Sequence, residues 1–272
     1  MLSLDKLQAL KELLSTFSGA LIAYSGGVDS TFLAVIAHEV LGERFLAVTA
    51  VSPTYPEHQL TEAEELAKRL GLPHKVIHSN EFSEPQYVAN PPERCYYCKT
   101  ALFQELKHLA AERGLEVVLD GANLDDLGDY RPGHRAAEEL GVRSPLQEAG
   151  FTKQEIRDYS KALALPTWDK PAYACLASRI PYGREITPEA LARIDRGEQF
   201  LAGLGFTQLR LRDHYPVARI EVAPDEMGRA WEHRQAIAAR LHEIGFPYVT
   251  IDLDGFRSGS MNETIGRKPS PG

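Results

Sequence analysis

The sequence predicts an α/β protein, a doubly wound parallel sheet followed by a smaller C-terminal α+β domain. Three observations predict it. Between residues 20 and 126, short apolar runs alternate with longer helical patterns, the βαβα rhythm of a parallel sheet covered on both faces. The first such run leads through Ser25-Gly26-Gly27-Val28-Asp29-Ser30 directly into a helix. Beyond residue 184 the rhythm changes to αββαβ, with strands that alternate apolar and polar residues.

The chain opens with an amphipathic helix that places Leu4, Leu7, Leu10, Leu13 and Leu14 on one side. Ala20–Tyr24 is a buried strand, and Thr31–Ala37 continues into a helix. Phe45–Val51 is the next strand; Glu57–Leu70 is a helix ended by Gly71 and Pro73; His74–His78 is the third strand. Residues 79–94 form an irregular stretch that carries Pro85, Pro91 and Pro92. Tyr96–Arg113 is helical and closes at Gly114, and Glu116–Asp120 is a fourth strand followed by Gly121-Ala122-Asn123-Leu124-Asp125-Asp126. Ser144-Pro145-Leu146 marks a transition, and Thr152-Lys153-Gln154-Glu155 has the capping-box pattern that starts a helix to Leu163. Pro166–Arg184 is a loop holding Cys175, and the boundary is placed at its end, giving domains 1–184 and 185–257 with a flexible tail, 258–272. In the second domain Thr187 caps a helix from Pro188 to Gly203. Strands Thr207–Arg212 and Val217–Val222 flank a His214-Tyr215-Pro216 turn, a helix spans Met227–Ile244, and Tyr248–Leu253 is the last strand.

Composition narrows the function. Of 272 residues, 43% are hydrophobic and 25% charged, and no apolar run approaches the roughly 20 residues that span a bilayer. The first helix has neither a continuous apolar core nor a cleavage site, so a cytoplasmic protein without membrane contact is expected. A net charge of −8 with no basic tail argues against nucleic-acid binding. Three cysteines, an odd number, suit a chemical role in a reducing compartment better than a disulfide framework.

Strand, Gly-Gly turn and helix N-terminus together make an anion site. The glycines let backbone approach, the first helical N–H groups face the ligand, and the helix dipole favours negative charge. Ser25 and Ser30 add hydroxyl donors, while Asp29 holds Mg²⁺ or orders the loop. The absence of Gly-Lys-Ser/Thr separates this loop from the common P-loop. In the second domain, period 2 puts Arg210, Arg212, Arg219 and Glu221 on one sheet face, either a solvated face or a phosphate or carboxylate clamp. Cys95-Tyr96-Tyr97-Cys98 with Cys175 is compatible with a redox pair, half of a zinc site, or three ligands of an iron–sulfur cluster.

The loop Ser25–Ser30 resembles the pyrophosphate loop of ATP pyrophosphatases. Taken with Asp120-Gly121-Ala122-Asn123 and Asp125-Asp126, Cys175-Leu176-Ala177-Ser178-Arg179-Ile180-Pro181-Tyr182-Gly183 and the Arg210/Arg212 strand, nearly the whole chain resembles the LarE family, the ATP-dependent sulfur transferases of nickel-pincer cofactor synthesis. The resemblance implies adenylation of a carboxylate of pyridinium-3,5-dicarboxylate mononucleotide, release of pyrophosphate, and formation of a thiocarboxylate for lactate racemase. It implies an ATP set of Ala23, Ser25, Gly26, Gly27, Val28, Asp29, Ser30, Gly121 and Asp125, with Asp29 and Asp125 as candidates for holding Mg²⁺ or for ordering the loop. Arg179, Arg210, Arg212 and Glu221 would bind the mononucleotide, and Cys175, Asp29, Ser178 and Arg179 would serve catalysis. Some members sacrifice one cysteine's sulfur. Cys95 and Cys98 beside Cys175 resemble instead the three-cysteine branch, in which a [4Fe–4S] cluster carries transferable sulfide supplied by a donor system. A homo-oligomer is expected. The rival readings are a tRNA thiolase or amide-forming ATP pyrophosphatase, and a non-catalytic ATP-binding scaffold. The first lacks a basic RNA surface or an encoded glutaminase, and the second is at odds with an intact phosphate loop.

Overall fold

A computed structural model of the chain describes residues 4–128, 132–171, 174–257 and 260–266. Along the chain the elements are α1 (Leu4–Ser15), β1 (Ala20–Ala23), α2 (Val28–Leu41), β2 (Phe45–Val51), α3 (Glu57–Arg69), β3 (His74–His78), α4 (Pro85–Val88), α5 (Arg94–Glu112) and β4 (Val117–Leu119). They continue with α6 (Pro132–Glu139), α7 (Pro145–Glu148), α8 (Lys153–Ala162), α9 (Pro188–Gly203), β5 (Leu209–His214), β6 (Val217–Val222), α10 (Met227–Glu232), α11 (Arg234–Ile244) and β7 (Tyr248–Ile251). The chain divides into two compact units, Met1–Glu84 with Glu93–Tyr173, and Pro85–Pro92 with Ala174–Gly272. Segment 174–184, placed with the first domain on sequence grounds, thus keeps company with the second unit.

The first unit is the predicted doubly wound sheet, all parallel, in the order β3-β2-β1-β4. Strand alternation assigns its two faces. Ala20 and Ile22 join Leu10, Leu14, Phe32, Phe151 and Tyr159 in one core. Leu21 and Val48 join Phe103, Leu106, Val118 and Ala136 in the other. Both faces are covered, so β1 reads Ala-Leu-Ile-Ala with no polar position. The Thr152–Glu155 capping box is present, with the Thr152 side chain accepting from the Glu155 N–H and the Glu155 carboxylate accepting from the Thr152 N–H.

In the second unit β5 pairs antiparallel with β6, and β6 pairs parallel with β7. Leu211, Ile220, Leu241, Phe246 and Leu201 form its core. Gly197 on α9 lies so close to this sheet that a Cβ there would stand 2.1 Å from Leu211 Cδ2. The segment 85–92 is tied in by Asn90, whose Nδ2 donates to the Pro181 and Arg184 carbonyls at 2.8 and 2.9 Å.

Several boundaries differ from expectation. The helix expected over Met227–Ile244 is two helices, divided at His233 (φ −84°, ψ 3°). The last strand stops at Ile251, and Ser260–Ile265 is a 3₁₀ segment; residues 258, 259 and 267–272 of the expected flexible tail lie outside the described residues. Within the irregular loops the chain forms 3₁₀ turns at Glu81–Ser83 and Leu176–Arg179. No helix among the described residues is long and apolar enough to cross a membrane.

Candidate functional site

Between β1 and α2 the backbone folds back through Gly26 at φ +66°, a conformation open to glycine without strain. A Cβ on Gly26 would also meet Ala63 Cβ at 3.0 Å. Gly27 is the N-cap of α2 and no side chain caps it, so the first amides of a 14-residue helix are left for a ligand. The two serines shape the turn: the Ser25 and Ser30 hydroxyls lie 3.0 Å apart, and the Ser25 N–H donates to Ser30 Oγ at 3.2 Å. Gly121, in the turn after β4, seats the loop from behind, since a Cβ there would lie 3.1 Å from the Ser30 backbone nitrogen. Ala23 ends β1 and Val28 begins α2, so both flank the loop from Tyr24 to Gly27.

The carboxylates meet this loop through α8. Asp29 Oδ2 is ion-paired with Lys153 Nζ, and Asp29 Oδ1 accepts from Asn123 Nδ2 at 3.5 Å. Asp125 accepts the Lys153 backbone N–H at 2.8 Å and so caps α8. Two further groups hold the loop: Tyr55 OH donates to the Ser25 carbonyl at 3.0 Å, and Lys170 Nζ donates to the Gly26 carbonyl at 3.2 Å while pairing with Glu62 at 2.9 Å. Burial, then the nearby Tyr24 and Glu62, push the Tyr55 phenol up to about 12, so it remains a donor across the physiological range. Lys153, Lys170 and Tyr55 were not anticipated as site residues. Lys153 carries a signal only in hindsight, as the residue after the capping threonine. Carboxylate oxygens beside a phosphate cradle suit Mg²⁺, which takes one or two carboxylates plus substrate phosphates.

In the second unit the polar face of β5 and β6 is not a solvated one. Arg212 is 4% and Glu221 1% exposed. Glu221 accepts from Arg212 Nε and Nη2 at 2.9 and 2.7 Å and from Arg219 Nη2 at 2.9 Å. Arg212 also donates to the Ser178 carbonyl at 2.9 Å and to Ser260 Oγ at 3.0 Å. Arg179 is held by Glu198 in the same two-pronged way, at 2.9 and 2.8 Å, and its Nη1 donates to the carbonyls of Ala174 and Cys175 and to Ser178 Oγ. The cysteine loop is therefore built on a buried arginine. Arg210 differs. Its one hydrogen bond goes to its own neighbour, the Leu209 carbonyl, at 2.7 Å, its guanidinium lies 5.0 Å from the Phe256 ring centre, and among the described residues it has no carboxylate partner. Burial, with the adjacent Arg179 charge, lowers its pKa to about 10.

The cysteines are split. Cys95 and Cys98 lie in the first five residues of α5 in the first unit, Cys95 exposed and Cys98 half-buried, and Cys175 is exposed in the second unit. Among the described residues no three His, Cys, Asp or Glu side chains gather as a metal ion requires, so the structure does not display the ligand set of a cluster.

The NAD synthase family pattern matches residues 7–87, the stretch containing the phosphate loop. An uncharacterised protein of Synechocystis is 45% identical over 96% of this chain and 98% of its own length. The pyridinium-3,5-bisthiocarboxylic acid mononucleotide synthase of Lactiplantibacillus plantarum is 38% identical over 90% of this chain and 89% of its own. The chain belongs to the LarE family. LarE proteins are ATP-dependent sulfurtransferases of the ATP pyrophosphatase type, and this chain is an enzyme of that kind. A glutamine-hydrolysing GMP synthase of Aeropyrum pernix, 26% identical over 82% of the chain and 48% of its own length, is a more distant relative of this LarE protein.

Proposed function

We propose that this chain adenylates a carboxylate of pyridinium-3,5-dicarboxylate mononucleotide with ATP, releases pyrophosphate, and replaces the adenylate with sulfur. The product is a thiocarboxylate for the nickel-pincer cofactor of lactate racemase. The observation that carries this reading is the uncapped N-terminus of α2 behind Gly26 and Gly27, a built phosphate cradle in a chain so similar over its length to a bisthiocarboxylic acid mononucleotide synthase.

In this reading the amides from Gly27 to Ser30 and the hydroxyls of Ser25 and Ser30 bind the ATP phosphates, with Ala23, Val28 and Gly121 shaping the loop. Asp29 and Asp125 hold Mg²⁺, which when bound offsets phosphate charge and eases the departure of pyrophosphate. Adenylation turns a carboxylate into an acyl group with a good leaving group. The acceptor's phosphate and carboxylates meet the arginine face. Arg179 and Arg212 have each given two donors to a carboxylate, Glu198 or Glu221, and others to nearby carbonyls and hydroxyls, so Arg210, whose fork is nearly unused, is the main anchor. Ser178 and Glu221 line the same site.

For sulfur, we propose that Cys95, Cys98 and Cys175 hold a [4Fe–4S] cluster, which when bound carries sulfide on the iron that lacks a thiolate. A second reading has its own observation, the exposure of Cys175 in a loop held by Arg179. In it the Cys175 thiolate attacks the acyl-adenylate carbonyl and AMP leaves. The Cα proton is then removed, the Cβ–S bond breaks, and thiocarboxylate and dehydroalanine remain. Anaerobic purification with iron and acid-labile sulfide analysis, followed by intact-mass spectrometry after turnover, decides between them. Bound iron with unchanged protein mass supports the cluster; an iron-free protein that loses the mass of H₂S at position 175 overturns it. For the reaction itself, pyrophosphate release should require the dicarboxylate mononucleotide, and Arg210→Ala should weaken that substrate roughly 10- to 150-fold, the worth of a lost charge-assisted contact of about 1.5–3 kcal/mol, while ATP affinity stays unchanged. Equal losses for both ligands would assign the arginine a structural role.

A further inference from the structure

A cavity of about 420 Å³ opens in the second unit among Arg184, Arg193, Arg196, Glu189, Tyr215 and Ile244. None of these residues belongs to the proposed ATP or mononucleotide sites. Its size is in the range of small-molecule sites, roughly 300–1,000 Å³. Three arginines line it, answered among the described residues by Glu189 in the lining and Asp213 behind it. Asp213, 1% exposed, pairs with Arg193 at 2.8 Å and with Arg184 at 3.9 Å; Glu189 is exposed in the lining.

The cations are under-used. Arg193 spends Nη2 on Asp213 and lies 5.5 Å from the Phe246 ring centre, but its buried Nε has no hydrogen-bond partner among the described residues. Arg196 donates through Nε to the Ala192 carbonyl of its own helix at 3.2 Å, and its two terminal nitrogens meet no protein acceptor among the described residues. Tyr215, 47% exposed, lies under two of the guanidiniums, with ring centre 5.8 Å from Arg184 and 5.1 Å from Arg193. The turn that carries it is pinned on both sides: its N–H donates to Asp213 at 2.9 Å and its carbonyl accepts from Arg184 at 3.0 Å. The tyrosine is thus held in place with its flank open beside unfilled guanidinium forks.

We propose that this cavity binds a phosphate-bearing small molecule at a site separate from both reactants of the sulfur-transfer reaction. Arginine forks present paired N–H donors that match phosphate oxygens. Arg196 and Arg193 grip the phosphate, and an organic body, where present, rests on Tyr215 and Ile244. The ligand answers the cationic excess of the lining.

The test is a footprint on the full-length protein. Phenylglyoxal modification of Arg196 is followed by peptide mass spectrometry with AMP, with inorganic phosphate, and with neither, in the wild type and in Arg210→Gln. Both probes should slow modification of Arg196 in both proteins. Stronger protection by AMP identifies a ligand with an organic body, and equal protection identifies phosphate alone as the ligand. An unprotected Arg196, or protection lost in Arg210→Gln, overturns the proposal. Calorimetry with Arg196→Gln is the second measurement. This exposed residue makes no ion pair among the described residues, so its melting temperature should hold, with one AMP site weakened at least tenfold. Unchanged AMP binding in that variant likewise overturns the site.

Discussion

Replacing Glu221 by Ala isolates what the arginine face costs to bury. Glu221 is 1% exposed and takes three charge-assisted hydrogen bonds, two from Arg212 and one from Arg219. Its removal leaves Arg212, itself 4% exposed, with the Ser178 carbonyl and the Ser260 hydroxyl as its remaining hydrogen-bond partners among the described residues, and no paired carboxylate. Breaking a buried pair from one side costs about 3–5 kcal/mol, because the surviving charge stays desolvated. Arg219 softens the loss, since it is one-third exposed and keeps Asp252 at 3.5 Å. The lower end, about 3 kcal/mol, is the expected value, which for a chain of this size lowers the melting temperature by roughly 6–12 °C. The double replacement Arg212→Leu with Glu221→Leu removes both charges and fills the space, so it should recover most of that loss. Differential scanning calorimetry of the three proteins is the assay. A Glu221→Ala melt within 2 °C of wild type (roughly 1 kcal/mol or less on the same scale), or a double variant no better than the single, would show that Arg212 is hydrated and the reasoning wrong.

Other outcomes follow from the first unit. Gly121→Ala pushes a methyl against backbone atoms of Ser30 and Asp29 at 3.1–3.4 Å, which cannot turn aside; a stability loss of about 1–3 kcal/mol and a marked loss of ATP affinity are expected by melting and titration. Lys153→Gln removes the cation beside Asp29 without touching the Thr152 cap, so ATP binding measured calorimetrically should weaken about tenfold or more while the melt barely moves. His74 has its pKa held below 6.5 by burial, so on acidification the unfolded chain takes up the proton first; stability is full above 6.5 and falls as pH drops below it. His74→Gln should flatten the fall in melting temperature between pH 7 and 5; an unchanged slope would place the titration elsewhere.

The parts of the fold that were legible are those whose cause is local. An apolar run, two glycines and a following helical pattern define the phosphate loop because turn chemistry and helix capping act within a few residues. Thr152 with Glu155, and Thr187 with Pro188, mark helix starts for the same reason. The break at His233 was not legible, since neither glycine nor proline stands there and both flanking segments carry helical patterns of their own. Nor were the cations of the loop. Lys153 meets Asp29 across 124 residues and Lys170 meets Gly26 across 144, and no local rule couples positions so far apart.

The arginine face shows the same limit in terms of charge. Period 2 predicts which residues share the face, and β5–β6 pairing, with Arg210 opposite Glu221 and Arg212 opposite Arg219, agrees. What alternation does not reveal is which cations are already spent. Glu198, on α9, takes Arg179, and Glu221 takes Arg212 rather than the Arg210 it stands opposite in the ladder. A guanidinium engaged by a carboxylate on two nitrogens has little left to offer an incoming anion, and displacing that carboxylate would strand a buried negative charge. Arg210 carries neither obstacle, and the positive potential of Arg179 that helps lower its pKa also draws an anion toward it. On the proposed reading, Arg179 and Arg212 build the face, and Arg210 is the guanidinium left to the acceptor.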